Sequence, residues 1–225
     1  MDLKIVAQTV QGQTVRKLRA AIMSGIFQPG DRLIEADLCD RLGVSRPSVR
    51  EALRSLEAER LITIVPNKGP IIPILTLAES REIYDVRSLL EGEAAALFSD
   101  RAGKETVAAM RRALDAFDAA VKADDKSGQL ETTRQFYEEI LSGCGNRIIY
   151  EVLTVLLARI TFLRAKSMSL EGRAQKSGKE MRAILRAIVA RDPEAARLAA
   201  TNHVRFASEA AAKAYAIEQK KPSAA

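Results

Sequence analysis

Residues 38–56 read LCDRLGVSRPSVREALRSL, and Gly43 separates a short helical pattern in this stretch from a longer one. Ser45 and Pro47 are typical of a helix start, because a serine side chain can accept a free backbone N–H and proline has no N–H to satisfy. Apolar side chains then recur at helical spacing, at Val49, Leu53 and Leu56. The stretch therefore predicts two short helices joined by a tight turn, and the second helix continues to about Glu59.

The flanking sequence predicts one more helix before this pair and a hairpin after it. The earlier helix ends near Gly25, and residues 29–30 form the turn that follows. On the other side, the β-branched residues 61–65 indicate a strand, residues 66–69 a turn and residues 71–74 a returning strand. Three helices followed by a two-stranded wing are the order of a winged helix-turn-helix.

Arginine recurs every four residues along the longer helix, at Arg46, Arg50 and Arg54. A helix fits the major groove of B-DNA, and the guanidinium fork matches the acceptors of guanine. Ser45 and Ser48 at the start of this helix can meet phosphates or base edges. Lys68 and Gly69 at the hairpin tip suit the neighbouring DNA backbone. The alternative is a solvated arginine face on an ordinary helix, but the capped start, the preceding short helix and the basic wing favour DNA binding.

The chain has 225 residues and a formal net charge of +6, which fits a nucleic-acid partner but does not identify one. Helical patterns are short before residue 75 and long after it, so we expect two domains, residues 1–75 and 76–225. The N-terminus lacks the apolar core of a signal peptide, and no stretch approaches the ~18 apolar residues of a membrane span. We therefore expect a cytoplasmic protein without a membrane partner.

Residues 76–225 carry an almost uninterrupted series of helical patterns. Thr76 and Glu79 form a capping box at the start of the first one. Helices are expected at about residues 76–100, 104–123, 128–142, 146–166, 171–190 and 193–217. The predicted fold class is mainly α, with an N-terminal winged helix-turn-helix of three helices plus a two-stranded wing, followed by an all-α antiparallel bundle of about six helices.

The first domain resembles the GntR family of transcription regulators. The resemblance covers residues 13–74, and its most specific part is the segment GVSRPSVREAL within the stretch quoted above. It implies that Arg46 and Arg50 read base pairs and that the serines and the wing tip flank them. The sequence departs from the family at one point: several members carry a DNA-contacting arginine in the second helix, where this chain has Ala36 and Asp37.

Residues 76–215 are similar to the all-helical FCD domain of the FadR-like members of that family. The resemblance implies a homodimer, a small organic-acid effector that changes the affinity for DNA and, in many members, a divalent metal held by one Asp and three His. The matching positions here are Thr133, Tyr137, Met181 and His203, and the chain contains one histidine. A hydroxyl, a phenol and a thioether beside one imidazole do not suit zinc or nickel. We therefore expect no metal and no other cofactor.

An effector site can persist at these positions without a metal. Arg87 lies among apolar residues of its helix, where a guanidinium group needs an anionic partner. We expect Arg87 to bind the carboxylate of the effector together with the four positions just named. The alternative for Arg87 is a structural ion pair with Glu91, one helical turn further on. The alternative for His203 is a hydrogen-bonded histidine of the core.

These expectations describe a DNA-binding transcription regulator, a repressor rather than an enzyme. It would bind double-stranded DNA at an inverted-repeat operator as a homodimer. One alternative is a constitutive dimeric regulator with a vestigial effector pocket. The other is an enzyme that processes small acids, and against it stand the single histidine and the lack of a nucleophile with an identifiable base.

Overall fold

The structure, a computed structural model, describes residues 10–23 and 25–219. This part of the chain contains nine α-helices and one two-stranded sheet, so the predicted mainly α fold class is confirmed. The chain divides into two units, Met1–Leu75 and Thr76–Ala225, which we call unit 1 and unit 2.

Unit 1 begins with three helices, α1 (Val10–Met23), α2 (Glu35–Leu42) and α3 (Arg46–Ala58). Helix α2 ends at Gly43, whose φ of 65° lies in the left-handed region that glycine adopts without strain. Helices α1 and α2 both pack against α3. Their shared core is formed by Leu18, Ile22, Leu38, Val49, Leu53 and Leu56. This core holds one side of α3 and leaves the opposite side, which carries the arginines, in solvent.

The wing follows α3 and pairs β1 (Thr63–Val65) with β2 (Gly69–Ile71) in antiparallel fashion. Its turn holds Asn67 at a φ of 65° and Gly69 at a φ of 80°, and asparagine and glycine are the residues that tolerate this region best. The expected second strand at residues 71–74 was therefore wrong by about two residues. The tight turn lets Gly69 pair immediately, so the wing is shorter than predicted.

Unit 2 opens with the predicted capping box. The backbone N–H of Glu79 donates to the Thr76 hydroxyl at 3.2 Å, and the Glu79 carboxylate accepts the backbone N–H of Thr76 at 2.9 Å. Its described residues form six helices, α4 (Leu77–Ser99), α5 (Lys104–Lys122), α6 (Lys126–Gly143), α7 (Arg147–Met168), α8 (Arg173–Val189) and α9 (Pro193–Gln219). Among all the helices described, none is long and apolar enough to cross a membrane.

Helices α4 and α9 form the most extensive contact of unit 2, and α9 also packs against α7 and α8. Small side chains allow this close approach. At Gly92 of α4, an added Cβ would lie 2.6 Å from Oγ1 of Thr201 on α9, which is too close for two unbonded atoms. Because these helices are held so closely, the side chains that they turn inward meet in one buried region.

Candidate DNA-binding surface and effector pocket

Helix α3 starts with a side-chain cap that fixes its first turn. Ser45 has an extended backbone, and its hydroxyl accepts the backbone N–H of Ser48 at 3.5 Å. The two serine hydroxyls lie 3.0 Å apart and form a second hydrogen bond. The predicted N-cap is thereby confirmed, and it makes Arg46 the first residue of the helix. Two hydroxyls and one guanidinium group thus lie together at the N-terminal end of α3.

The three arginines of α3 are all exposed. Arg50 donates from Nε to Glu35 at 2.9 Å, and Arg54 donates to Glu51 at 2.8 Å. The side chains of Arg50 and Arg54 remain 61% and 70% exposed, so both ion pairs are weak and can exchange for groups on DNA. Arg46 has no ion-pair partner among the described residues. The helix therefore presents one unpaired guanidinium group and two loosely paired ones.

Two more basic side chains of unit 1, Lys68 in the wing turn and Arg32 before α2, lie at the wing. Lys68 is exposed in the turn, and Gly69 follows it as the first residue of β2. An antiparallel bridge joins Arg32 to Ile71 of β2, and a Cβ on Gly69 would lie 4.0 Å from Nε of Arg32. Arg32 was missed by sequence reasoning, because it precedes α2 in the chain and reaches the wing only through this backbone pairing.

Helix α2 carries acidic groups where the family resemblance implies an arginine. Ala36 and Asp37 are both exposed in its first turn, and Glu35 beside them is the partner of Arg50. Carboxylates repel the phosphates of DNA, whereas an arginine would attract them. The first turn of α2 thus lacks a positive contact for DNA that several members of the resembled family have.

In unit 2, the predicted effector positions are all buried. Thr133, Tyr137, Met181 and His203 are 0%, 2%, 0% and 3% exposed. The rings of Tyr137 and His203 lie 5.9 Å apart between their centres. The Thr133 hydroxyl donates to the backbone carbonyl of Gln129 at 2.7 Å, within its own helix. The structure thus brings Tyr137 and His203 together, while the Thr133 hydroxyl already has a partner.

These positions do not fit the divalent metal that the FCD resemblance implies. The described residues contain no group of three or more His, Cys, Asp or Glu side chains that could hold a metal ion. Thr133, Tyr137 and Met181 offer a hydroxyl, a phenol and a thioether, which are poor ligands for such ions. That the protein functions without a metal stays a prediction.

Arg87 and Glu91 form an ion pair inside unit 2. The two side chains are 0% and 2% exposed, and Nε of Arg87 lies 2.6 Å from Oε1 of Glu91. Burial alone would lower the pKa of Arg87, but Glu91 outweighs this effect and raises the pKa. Burial would raise the pKa of Glu91, but Arg87 and Arg164 outweigh it and lower the pKa. The ion pair with Glu91, which was the alternative role expected for Arg87, is therefore present. A role of Arg87 in effector binding stays a prediction.

A second ion pair, between Arg173 and Glu180, is hydrogen-bonded to the single histidine of the chain. Arg173 donates to both carboxylate oxygens of Glu180, at 3.1 Å and 2.8 Å, and Nδ1 of His203 lies 2.8 Å from Oε2 of the same carboxylate. Because an ionised carboxylate only accepts hydrogen bonds, Nδ1 carries a proton. Burial lowers the pKa of His203, and Glu180 offsets this only in part. His203 is therefore a neutral, hydrogen-bonded donor near neutral pH.

A third arginine, Arg164 of α7, is buried in the same region with 5% of its side chain exposed. Its guanidinium carbon lies 4.7 Å from the centre of the Tyr137 ring. Burial raises the pKa of Tyr84 to about 12, and Arg87, Arg164 and Arg173 each oppose this rise. All three guanidinium groups thus act on one phenol, which places them in a single electrostatic environment. Arg164 and Arg173 were not predicted as site residues from the sequence.

A cavity of about 450 Å³ opens at one side of this region. This volume lies within the range of small-molecule sites. Arg173 and Glu180 line it, together with the exposed Lys176, Lys179 and Lys213. The cavity therefore leads from a lysine-rich opening to one of the two buried ion pairs.

Comparisons with known proteins match both units. Residues 10–72 match the model for bacterial regulatory proteins of the GntR family, and residues 82–206 match the FCD domain. The FCD match alone covers more than half of the chain. Each unit thus carries the domain that its sequence resembles.

Individual relatives agree with these matches. YdhC of Bacillus subtilis, an uncharacterized HTH-type transcriptional regulator, is 30% identical over 195 residues that cover 85% of this chain and 87% of YdhC. The HTH-type transcriptional repressor GlaR of Escherichia coli is 30% identical over 79% of this chain and 84% of GlaR. The solved structure of E. coli McbR/YncC shares the fold, with a TM-score of 0.81 at 22% identity over 94% of this chain and all of that one. The chain therefore belongs to the GntR family, and it is a transcriptional regulator, not an enzyme, that joins a DNA-binding helix-turn-helix to an FCD domain.

Proposed function

We propose that this regulator is a homodimeric repressor that reads an inverted-repeat operator and whose affinity for that operator changes when unit 2 binds a small organic acid. In this proposal α3 enters the major groove and the wing contacts the flanking backbone. The residues assigned to DNA contacts are Ser45, Arg46, Ser48, Arg50, Arg54, Lys68 and Gly69. The effector positions Arg87, Thr133, Tyr137, Met181 and His203 form or adjoin the proposed effector site.

The proposal that this protein binds DNA through α3 rests on the exposed basic side chains of that helix. Its first residue, Arg46, is exposed and without an ion-pair partner in the described part of the chain, directly beside the hydroxyls of Ser45 and Ser48. The opposite side of α3 is buried in the core of unit 1, so the helix can offer only this side to DNA. An unpaired guanidinium group at the end of a helix that is free to enter the groove suits bidentate contact with guanine.

The homodimer is supported by exposed apolar side chains of unit 2. On α7, Ile148, Val152 and Val155 are 65%, 40% and 66% exposed and recur at helical spacing on one face. Leu89 on α4, which packs against α7, is 74% exposed. We assign this face to a second copy of the chain, because a two-fold dimer would place two α3 helices on an inverted repeat. Val155→Glu should raise the dimer dissociation constant in sedimentation equilibrium.

The DNA contacts can be tested on a duplex that the protein itself selects. Purified protein would enrich duplexes from a random pool, and the enriched duplex would be titrated by fluorescence anisotropy. We expect an inverted repeat, and we expect Arg46→Ala or Arg50→Ala to weaken binding by about 1–3 kcal/mol and to relax base preference at one position in each half-site.

Arg111→Ala is the matched control, because Arg111 is an exposed arginine of unit 2 and its loss removes the same charge. It should bind the selected duplex like the parent. If Arg46→Ala and Arg50→Ala also bound like the parent, α3 would not be the reading helix.

A constitutive regulator is the second candidate, and the pairing of Arg87 with Glu91 is the observation that favours it. That pairing supplies the anion that Arg87 was expected to take from an effector. The same anisotropy titration separates the two candidates when it is repeated with organic acids. A constitutive regulator would bind the selected duplex with one affinity throughout, whereas the proposed regulator would change its affinity with at least one acid.

A further inference from the structure

Unit 2 encloses a group of charged side chains that we call the inner charge cluster. Its members are Arg87, Glu91, Arg164, Arg173 and Glu180, and they come from α4, α7 and α8. All five are buried except Glu180, whose side chain is 16% exposed. Charges in such surroundings are unfavourable unless each one has a partner of opposite sign.

The cluster contains three guanidinium groups and two carboxylates. Arg87 is paired with Glu91, and Arg173 is paired with Glu180 through both carboxylate oxygens. His203, which is hydrogen-bonded to Glu180, is neutral near pH 7 because its pKa is lowered by burial. The phenols of Tyr84 and Tyr137 are neutral as well, because burial raises their pKa. One positive charge therefore has no ion-pair partner in the described part of the chain, and it belongs to Arg164.

Four buried donors in and beside the inner charge cluster have no hydrogen-bond partner among the described residues: Nη1 of Arg87, Nε of Arg164, Nε of Arg173 and the hydroxyl of Tyr137. The guanidinium group of Arg164 lies over the Tyr137 ring, 4.7 Å from its centre, so the donors of these two side chains belong to one place in the fold. Burial and the charge of Arg87 lower the pKa of Arg164, while Glu91, Tyr137 and Tyr84 oppose this shift. Arg164 thus lies near Glu91 but has no carboxylate within ion-pair distance among the described residues.

We propose that Arg164, together with the hydroxyl of Tyr137, binds the carboxylate of a singly charged organic acid in place of the metal that many FCD domains use. This inference rests on the proposed effector function, and it moves the anion-binding role from Arg87 to Arg164. Tyr137 keeps the role that was predicted for it.

The chemistry of the site selects the class of ligand. A guanidinium group holds a carboxylate through two parallel hydrogen bonds, and a phenol can donate a third. Three positive and two negative groups leave room for one negative charge, so a monocarboxylate balances the inner charge cluster. A second carboxylate on the ligand would add a buried charge without a partner, and a neutral ligand would leave Arg164 uncompensated.

A cavity borders the Arg173–Glu180 end of the cluster. It is lined by Lys176, Lys179 and Lys213 at its exposed part and by Arg173 and Glu180 next to the buried region. The exposed Glu171 and Glu209 also line it, so the three lysines give the opening only a small excess of positive charge. Within the cavity an acid meets the Arg173–Glu180 pair, and neither Arg164 nor Tyr137 belongs to the cavity lining, so access to Arg164 requires side chains of this region to move.

The test compares the parent protein with Arg164→Met by isothermal titration calorimetry. The probes are acetate, butyrate, lactate, benzoate and gluconate, each beside its neutral primary amide, and succinate as a doubly charged acid. We expect at least one monocarboxylate to bind the parent, its amide to fail, and Arg164→Met to weaken the binding about 10- to 100-fold. Arg186→Met, which removes an exposed arginine of the same unit, is the matched control and should bind like the parent.

A second measurement separates an anion receptor from a structural arginine. Because unliganded Arg164 is a buried charge without an ion pair, Arg164→Met without ligand should melt at or above the temperature of the parent. A variant that melts several degrees lower would overturn the proposal.

The remaining outcomes separate a wrong assignment of Arg164 from the absence of any organic-acid effector. If an acid bound the parent and Arg164→Met equally well, the assignment of Arg164 would be wrong, while an organic-acid effector would still stand. If succinate bound the parent more tightly than every monocarboxylate, the single-charge argument would be wrong. If none of the acids bound the parent, the effector proposal and the role of Arg164 would both fall.

Discussion

The side chains of Arg87 and Glu91 meet inside unit 2 at 2.6 Å, one helical turn apart on α4, and both are almost completely removed from solvent. A buried pair of this kind contributes little net stability as a pair, because the loss of hydration offsets the attraction. Removing one partner has a much larger effect, since it leaves the other charge alone in an apolar region. The two arginines of the inner charge cluster that act on Glu91 therefore differ in what their removal does.

Arg87→Met should reduce the free energy of unfolding by about 3–5 kcal/mol, because it leaves the Glu91 carboxylate without its hydrogen-bonded partner. The double variant Arg87→Met/Glu91→Leu should recover most of this loss. Urea denaturation followed by circular dichroism measures both. A single variant as stable as the parent would show that Glu91 is not held as a buried carboxylate.

Acidification should destabilise the protein through His203. Burial lowers its pKa in the folded state below the ordinary value of 6.5, so the unfolded chain binds the proton more readily. The stability that this group contributes is thus fully present above about pH 6.5 and is lost as the pH falls through the lowered folded pKa. Urea denaturation between pH 7.5 and pH 5 measures this slope, and His203→Gln should flatten it. An equally steep slope in the variant would assign the effect to another group.

Asp37→Arg should increase the affinity for DNA severalfold. The variant exchanges a carboxylate of the first turn of α2 for the basic side chain that several members of the family have there. Each added phosphate contact should make the slope of log affinity against log salt concentration steeper by about one unit. Anisotropy titrations of the selected duplex at several salt concentrations give both quantities. Asp115→Arg, which makes the same change of charge at an exposed site of unit 2, should alter neither. An unchanged slope for Asp37→Arg would place α2 away from the phosphates.

Gly92→Ala should destabilise unit 2 by about 1–3 kcal/mol, because the new methyl group would lie 2.6 Å from Oγ1 of Thr201 and would force α4 and α9 apart. The double variant Gly92→Ala/Thr201→Ala removes the obstructing hydroxyl and should be closer to the parent. Thermal unfolding followed by circular dichroism measures both variants. If the single variant were as stable as the parent, the two helices would have more freedom at this crossing than the structure shows.

Local signals in the sequence were enough to place most helices. The cap at Ser45 and the capping box of Thr76 with Glu79 were both predicted and are both present, because each depends on a few neighbouring residues. The ends of the two wing strands were harder to predict. The register of the wing depends on the left-handed backbone at Asn67 and Gly69, and the β-branched residues 71–74 alone do not reveal it.

The effector region could be predicted only in part. Tyr137 and His203 were named as candidates because they occupy positions that the FCD resemblance marks, and the structure places their rings together. Arg164 was missed because an arginine in a helix is exposed far more often than buried. A weak signal was present, since Thr161 and Met168 share the buried face of α7 with Arg164 at spacings of three and four residues. That Arg164 has no anionic partner follows only from the packing of three separate helices.

If Arg50 reads a base as proposed, its contact with Glu35 has a consequence for binding to DNA that lacks the operator. On a sequence that offers no suitable base, Arg50 can stay with the carboxylate of α2, so a wrong site does not strand a desolvated guanidinium group. On the base that Arg50 is proposed to read, two acceptors would replace that one exposed partner. The proposed base contact of Arg50 would therefore cost little on mismatched DNA, because Glu35 remains available as a partner.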